Sequence, residues 1–146
     1  MIKELDKDFT SLNEYISQLN PSKIFILVDE NTHNHCLPIL LPNLETDAPF
    51  EVIEIEAGEE NKNIGTATQL WEIFSEMEAD RKSLLINLGG GVVTDLGGFV
   101  ASTYKRGIRF INLPTTLLAM CDASIGGKTG IDHQYLKNVI GTFALP

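Results

Sequence analysis

Residues 83–95 read Ser83-Leu84-Leu85-Ile86-Asn87-Leu88-Gly89-Gly90-Gly91-Val92-Val93-Thr94-Asp95. A short apolar run closes on three glycines and then opens into a helix-forming segment. Short apolar runs bounded by turn residues read as strands buried on both faces. The glycines mark a sharp turn at the carboxyl end of the strand, and residues 92–104 read as the helix that follows. Inside that helix, Gly97 and Gly98 suggest a place where another backbone or a ligand comes very close. Ligands of open α/β sheets bind beyond the carboxyl ends of the strands, where backbone N–H groups and a helix N-terminus favour a phosphate. The dinucleotide fingerprint G-x-G-x-x-G is not met, because counting from Gly89 its last glycine falls on Thr94. The turn is therefore either a variant nucleotide loop or a tight strand-to-helix connection.

Strands and helices alternate on both sides of this unit. Residues 8–19 place Phe9, Leu12, Ile16 and Leu19 at helical spacing, and residues 23–28 (KIFILV) form a buried strand. A loop is expected at Asp29–Thr32, then a short helical stretch to about residue 41. Residues 51–56 (EVIEIE) alternate as a second strand. Residues 61–79 form an amphipathic helix with Ile64, Ala67, Leu70, Trp71 and Phe74 on one face. Residues 109–113 (RFINL) give a fourth strand, ended by Pro114. Residues 115–124 read as a short helix, and the remainder as irregular or hairpin-like. Such alternation predicts an α/β domain of Rossmann-like type, with a mainly parallel sheet and helices on both faces.

The chain has 146 residues, of which 43% are hydrophobic. That suits one globular domain, whole or cut from a longer protein, and needs no disulfide or metal staple. The apolar ending Ala144-Leu145-Pro146 suggests truncation. No run of about 18 apolar residues predicts a membrane span, and the polar start MIKELDKDFT is unlike a targeting peptide, so the expected compartment is the cytoplasm. Cys36 and Cys121 read as reduced core thiols. Residues 1–80 hold four lysines against 17 carboxylates, a net −13, whereas residues 81–146 hold seven cations against three aspartates, a net +4. A pI near 4.7 argues against nucleic acid or an anionic membrane as partner. The basic, glycine-rich second half has the makings of a small-anion site or of an ordinary solvated surface.

Three further segments bear on chemistry. Gly127-Lys128-Thr129 is not a Walker A loop, which would need a glycine where Asp122 stands. Lys128, set among glycines and small hydroxyls, either meets a phosphate or carboxylate or sits idle on an exposed hairpin. Thr115 and Thr116, after the fourth strand, either cap a helix or donate to a ligand. Tyr104-Lys105-Arg106-Gly107 and Lys137-Asn138 are expected to add cations near the same end of the sheet. His33 and His35 lack the further ligands a metal site requires, so no metal site is expected in this chain.

Together these blocks resemble the N-terminal half of 3-dehydroquinate synthase. The resemblance rests on Gly89–Phe99, on Tyr104–Ile108, on Leu113-Pro114-Thr115-Thr116-Leu117-Leu118-Ala119-Met120, and on Asp122–Gly130 with Lys137-Asn138 after it. The first 80 residues match more loosely, through Ala57-Gly58-Glu59-Glu60-Asn61-Lys62 and the Asp29–Thr32 loop. The resemblance implies an NAD-binding N-terminal domain over residues 1–146. A helical, metal-binding C-terminal domain, supplying one Glu and two His to zinc or cobalt, would lie outside this chain. The implied reaction converts 3-deoxy-D-arabino-heptulosonate 7-phosphate to 3-dehydroquinate and phosphate in the shikimate pathway, with NAD regenerated each turn. The implied partner is a small anionic sugar phosphate, and the implied assembly of the full-length enzyme is a homodimer.

Roles carry over as expectations of the resemblance. Gly90, Gly91 and Val92 would hold the NAD pyrophosphate, with Asp95 also at the cofactor. Glu59 and Lys62 would hold the adenosine end, and Asp29, Glu30 and Asn31 would lie near its ribose. Thr115 and Thr116 would contact the nicotinamide side, and Lys137 would also contact NAD. Arg106, Asp122, Lys128 and Asn138 would bind substrate. The alternatives are a sister sugar-phosphate cyclase, such as a 2-deoxy-scyllo-inosose or valiolone synthase, and an NAD-binding module without catalysis. An iron-dependent polyol dehydrogenase shares the glycine turn and Pro-Thr-Thr. Such enzymes usually continue into a Gly-Thr-Gly-Ser type sequence, whereas here Leu117-Leu118-Ala119-Met120 follows.

Overall fold

A computed structural model describes residues 9–114 and the backbone of two short strands at 2–3 and 143–144. In chain order the elements are β1 (Ile2–Lys3), α1 (Thr10–Leu19), β2 (Ile24–Asp29), α2 (Glu30–His35), α3 (Leu37–Asn43), β3 (Phe50–Ile55), α4 (Ile64–Glu76), β4 (Leu84–Leu88), α5 (Gly91–Thr103), β5 (Arg109–Leu113) and β6 (Phe143–Ala144). The sheet runs β1-β6-β5-β4-β2-β3. Its four longer strands, β3, β2, β4 and β5, are mutually parallel, as expected for a Rossmann-like domain. The short β6 pairs antiparallel with both β5 and β1.

Alternation along the strands sorts the core into two layers. Ile24, Ile26 and Val28 of β2, with Leu84, Ile86 and Leu88 of β4, pack against α1, α2 and α3 through Leu12, Ile16, Cys36, Leu37 and Leu40. Phe25, Leu27 and Leu85 face the other way, onto Leu70 and Phe74 of α4 and Val93, Leu96 and Val100 of α5. Helices therefore cover both faces, which is why β2 up to Val28, and β4 apart from Asn87, are apolar on both sides rather than alternating.

Several local readings are corrected. Residues 29–32 are not a loop: Asp29 caps α2, its side chain accepting from the Thr32 N–H (2.8 Å) while the Thr32 hydroxyl accepts from the Asp29 N–H (3.0 Å). This is a reciprocal capping box. The helix expected over 61–79 is shorter, because Asn63 caps α4 by accepting from the Thr66 N–H, and Glu78 turns left-handed (φ 57°) after its end. The two short strands β1 and β6 escape sequence reading because two residues cannot display a period. The helix expected at 115–124 lies outside the described residues.

Asn13, 8% exposed, ties α1 to the α3–β3 connection by donating to the Asn43 carbonyl and accepting from the Glu45 N–H, each at 2.8 Å. At the amino edge of the sheet, the Asp80 carboxylate accepts from the Ser22 hydroxyl (2.6 Å) and the Lys82 N–H (2.8 Å). The Ser22 hydrogen bond is the main reason its carboxyl lies below the ordinary value of 3.8. A carboxyl lowered by folding stabilises the fold above its unfolded pKa and loses that contribution as pH falls through the lower folded value. Asp80→Asn is expected to flatten the acid-side loss of stability below about pH 4, measured by urea unfolding across that range. An unchanged acid slope would refute the linkage.

Candidate functional site

The strand order places a topological switch between β2 and β4. The chain leaves β2 into α2 and α3 on one face and leaves β4 into α5 on the other. Helices departing in opposite directions leave a crevice beyond the two carboxyl ends, the usual ligand position in open α/β sheets. Asp29 ends β2 on one side of this crevice, and the glycine turn ends β4 on the other.

The turn is held from below. The Gly89 N–H donates to the Leu113 carbonyl of β5 at 3.2 Å. A Cβ on Gly89 would come within 2.9 Å of the Val93 side chain, so this position has no room for one. Gly90 and Gly91 are exposed, and a Cβ on either would meet nothing within 4 Å. The space beside Gly90 and Gly91 is open, whereas that of Gly89 is filled. Gly90 is the N-cap of α5, with an extended backbone (φ −85°, ψ −160°) and no side-chain cap. The first N–H groups of a helix have no partner within it, and the dipole adds positive potential there. A pyrophosphate fits this uncapped cradle, with Gly91 and the half-buried Val92 as the nearest backbone donors. The Thr94 hydroxyl braces the turn, donating to the Gly90 and Gly91 carbonyls at 3.2 and 3.3 Å.

Lys62 joins two of the expected cofactor residues. Its ammonium lies 2.9 Å from Glu59 and 3.2 Å from Asp95. Glu59 opens the 3-10 turn after β3, and Asp95 stands one turn into α5. The cluster thus links the connections after β3 and β4. Its hydrogen bonds, to Glu59 first and then Asp95, raise the lysine pKa above its ordinary value. Behind the Lys62–Asp95 pair lies a hollow of about 350 Å³ between α4 and α5, rimmed by exposed Ile64 and Phe99.

The remaining expected residues divide. Asp29 is half-buried and occupied in capping, while Glu30 and Asn31 are exposed in the first turn of α2. The cations expected from residues 104–107 are not near this end. Helix α5 runs from the carboxyl end of β4 back to the amino end of β5, which carries Arg106 to the opposite edge. There the neighbouring Tyr104 hydroxyl donates to the Ala79 carbonyl, just ahead of β4. Arg106 therefore does not reach the crevice of its own chain. Thr115, Thr116, Asp122, Lys128, Lys137 and Asn138 lie outside the described residues. His33 contacts Glu54 (2.8 Å), and burial pushes the Cys36 thiol up from its usual range. Among the described residues no group of three or more His, Cys, Asp or Glu side chains could hold a metal.

Sequence reading missed the two threonines that fix the crevice, Thr32 and Thr94. The Asp29-x-x-Thr32 spacing is a capping signal that could have shown the first. Among the described residues the close approach expected at Gly97 is made by the Asn87 side chain, whereas a Cβ added at Gly98 would lie 3.6 Å from the Phe110 ring, in ordinary contact.

Strand order, switch-point crevice and open glycine turn define a Rossmann-like α/β domain. A family model described as 3-dehydroquinate synthase N-terminal matches residues 52–146. The chain belongs to the 3-dehydroquinate synthase family. It is 47% identical over 141 residues to the 3-dehydroquinate synthase of Parabacteroides distasonis, covering 96% of this chain and 40% of that relative. The chain thus spans about two-fifths of the length of that relative. A 2-deoxy-scyllo-inosose synthase crystallised with carbaglucose-6-phosphate, NAD+ and Co2+ superimposes with a TM-score of 0.68 at 25% identity, covering 80% of this chain and 32% of that one. A 2-epi-5-epi-valiolone synthase from Streptomyces hygroscopicus with NAD+ and Zn2+ bound gives 0.55 at 29% identity, covering 79% of this chain and 33% of that one.

Gly89→Ala is expected to cost about 1–3 kcal/mol, because the methyl group must displace Val93 and with it the first turn of α5. Chemical denaturation measures this, and a loss under about 0.5 kcal/mol would show that the turn is not packed as described.

Proposed function

We propose that this chain is the NAD-binding part of a 3-dehydroquinate synthase, which converts 3-deoxy-D-arabino-heptulosonate 7-phosphate to 3-dehydroquinate and phosphate in the shikimate pathway. The observation that carries the reading is the uncapped start of α5 at the switch point, where Gly90 and Gly91 leave open space. Membership of the family and the NAD+ in both related structures support it.

In this reading the backbone N–H groups at Gly91 and Val92 donate to the pyrophosphate. Asp95, left alone beside a phosphate, would repel it; Lys62 offsets that charge and adds a cation at the mouth of the cradle. Glu59 fixes the ammonium from the other side. Glu30 and Asn31 line the adenosine side, where Asp29 holds the turn through its cap. Thr115, Thr116 and Lys137 complete the cofactor set, and Asp122, Lys128 and Asn138 bind the sugar phosphate. When bound, NAD supplies a reversible hydride acceptor for a substrate hydroxyl. We assign the zinc or cobalt ligands to a helical C-terminal domain beyond this chain. The full-length protein is then a cytoplasmic homodimer, and residues 1–146 alone turn over no substrate. The second reading, a sister cyclase, is favoured by the superposition on 2-deoxy-scyllo-inosose synthase, but identity there is 25% against 47% for the 3-dehydroquinate synthase relative.

Gly90→Val tests the cradle. The position is exposed and extended but is the N-cap of α5, where valine is a poor residue, so stability is expected to fall by about 1 kcal/mol and the protein to stay folded. The added side chain fills the phosphate space, and NAD affinity measured by calorimetry is expected to fall at least about tenfold. Unchanged affinity would remove NAD from this crevice. A phosphate-release assay on the full-length protein separates the cyclases, with the heptulosonate phosphate expected to react and glucose 6-phosphate not.

A further inference from the structure

We propose that Asn87, Asn112 and Gly97 form a buried lock that fixes the height of α5 above the sheet, making Asn87 a positioning residue for the N–H groups at Gly90–Val92. The lock deepens the nucleotide-binding reading, on which its role in affinity rests.

Asn87 is fully buried in β4, where the other four residues are Leu or Ile. By strand alternation it shares a face with Leu85, which packs in the α4 and α5 layer. An amide in such a place costs stability unless it is bonded, and an apolar side chain would carry no such cost. Its nitrogen donates to the Asn112 amide oxygen at 3.0 Å, and Asn112 is its register partner on β5. Its oxygen has no hydrogen-bond partner among the described residues. That oxygen instead lies against the backbone of α5 at Gly97. A Cβ at position 97 would overlap the amide, coming within 2.5 Å of its carbon and 2.8 Å of its nitrogen. The Asn87 amide and a side chain at residue 97 thus compete for one volume. The contact is of the kind a glycine Cα–H makes with an oxygen.

Geometry converts this contact into position. Gly97 stands six residues beyond Gly91, roughly 9 Å along the helix axis. The first turn is already seated where Val93 fills the space over Gly89. One contact would let α5 pivot; two separated contacts fix both its height and its tilt. Asn112 extends the lock to β5, whose last residue accepts the Gly89 N–H. The turn after β4 and the end of β5 are therefore held to one helix.

Four variants of the natural full-length protein test the lock: Gly97→Ala, Asn87→Ala, the double variant, and Leu70→Ala as a control in α4 of the same layer. Amide hydrogen exchange at Gly90–Val92 is measured without ligand, and NAD affinity by calorimetry. Gly97→Ala is expected to speed exchange and weaken NAD by about tenfold each, as the methyl group forces α5 upward. In the double variant the methyl group enters the volume that the amide left, and both values are expected to return to within about threefold of wild type. Leu70→Ala should lower the melting temperature and leave exchange at Gly90–Val92 within about twofold. If Gly97→Ala fails to fold, Asn87→Ala against the double carries the test, since the second change must then slow exchange. A double variant no better than Asn87→Ala and Gly97→Ala, or a control that speeds exchange as much, overturns the proposal. The exchange result stands without NAD: restored protection in a protein that binds no NAD upholds the lock and refutes the nucleotide reading.

Discussion

Strand β2 is the constraint on which the rest depends. It pairs in parallel with β3 on one side and β4 on the other, and residues 24–28 are at most 1% exposed. A strand in that position needs helices on both faces, and the chain supplies them by leaving β2 and β4 in opposite directions. The crevice is the gap that this reversal leaves. The crevice is a consequence of burying an apolar strand, and the glycine turn only shapes an opening that the topology has already made.

What was legible in the sequence follows the same physics. The KIFILV and SLLINL runs announced buried strands because burial on both faces favours apolar residues at successive positions, and the structure holds β2 and β4 there, with Asn87 the polar exception. The Ile64–Phe74 stripe announced α4 for the corresponding reason at helical period. Glu59 and Lys62 are close enough in sequence to meet locally, but nothing local in Lys62 or Asp95 says that those two meet, since their contact depends on strand order. Arg106 shows the reverse error. Its cation was expected at the crevice end of the sheet, but the 13-residue α5 runs the length of the sheet and carries it to the other end. The Asp29–Thr32 segment was misjudged because its polar residues are those of a loop, whereas here they satisfy a helix start.

The glycines illustrate how one residue type serves three purposes. At Gly89 a neighbour fills the space of the missing side chain; at Gly90 and Gly91 that space is open, and the proposed phosphate cradle would use it. Gly107 differs again, continuing the positive φ of Lys105 and Arg106 (45° and 69°) at 107° where the chain turns into β5. Two successive non-glycine residues in the left-handed region are costly. The bonds that frame them, from the Gly107 N–H to the Tyr104 carbonyl and from the Ile108 N–H to the Ala101 carbonyl, are both 2.7 Å long.

Among the described residues strand β3 stands at the end of the sheet order, with β2 as its one neighbour. Such an edge is a template for adding a foreign strand, the first step of sheet-to-sheet aggregation. Here the strand and the residue after it carry Glu51, Glu54 and Glu56, and Glu51 and Glu54 keep almost half of their side-chain surface in solvent. A second copy approaching edge to edge would stack carboxylate on carboxylate. The acidity of the first 80 residues thus guards the open rim of the sheet, and that guard is strongest while the glutamates are ionised.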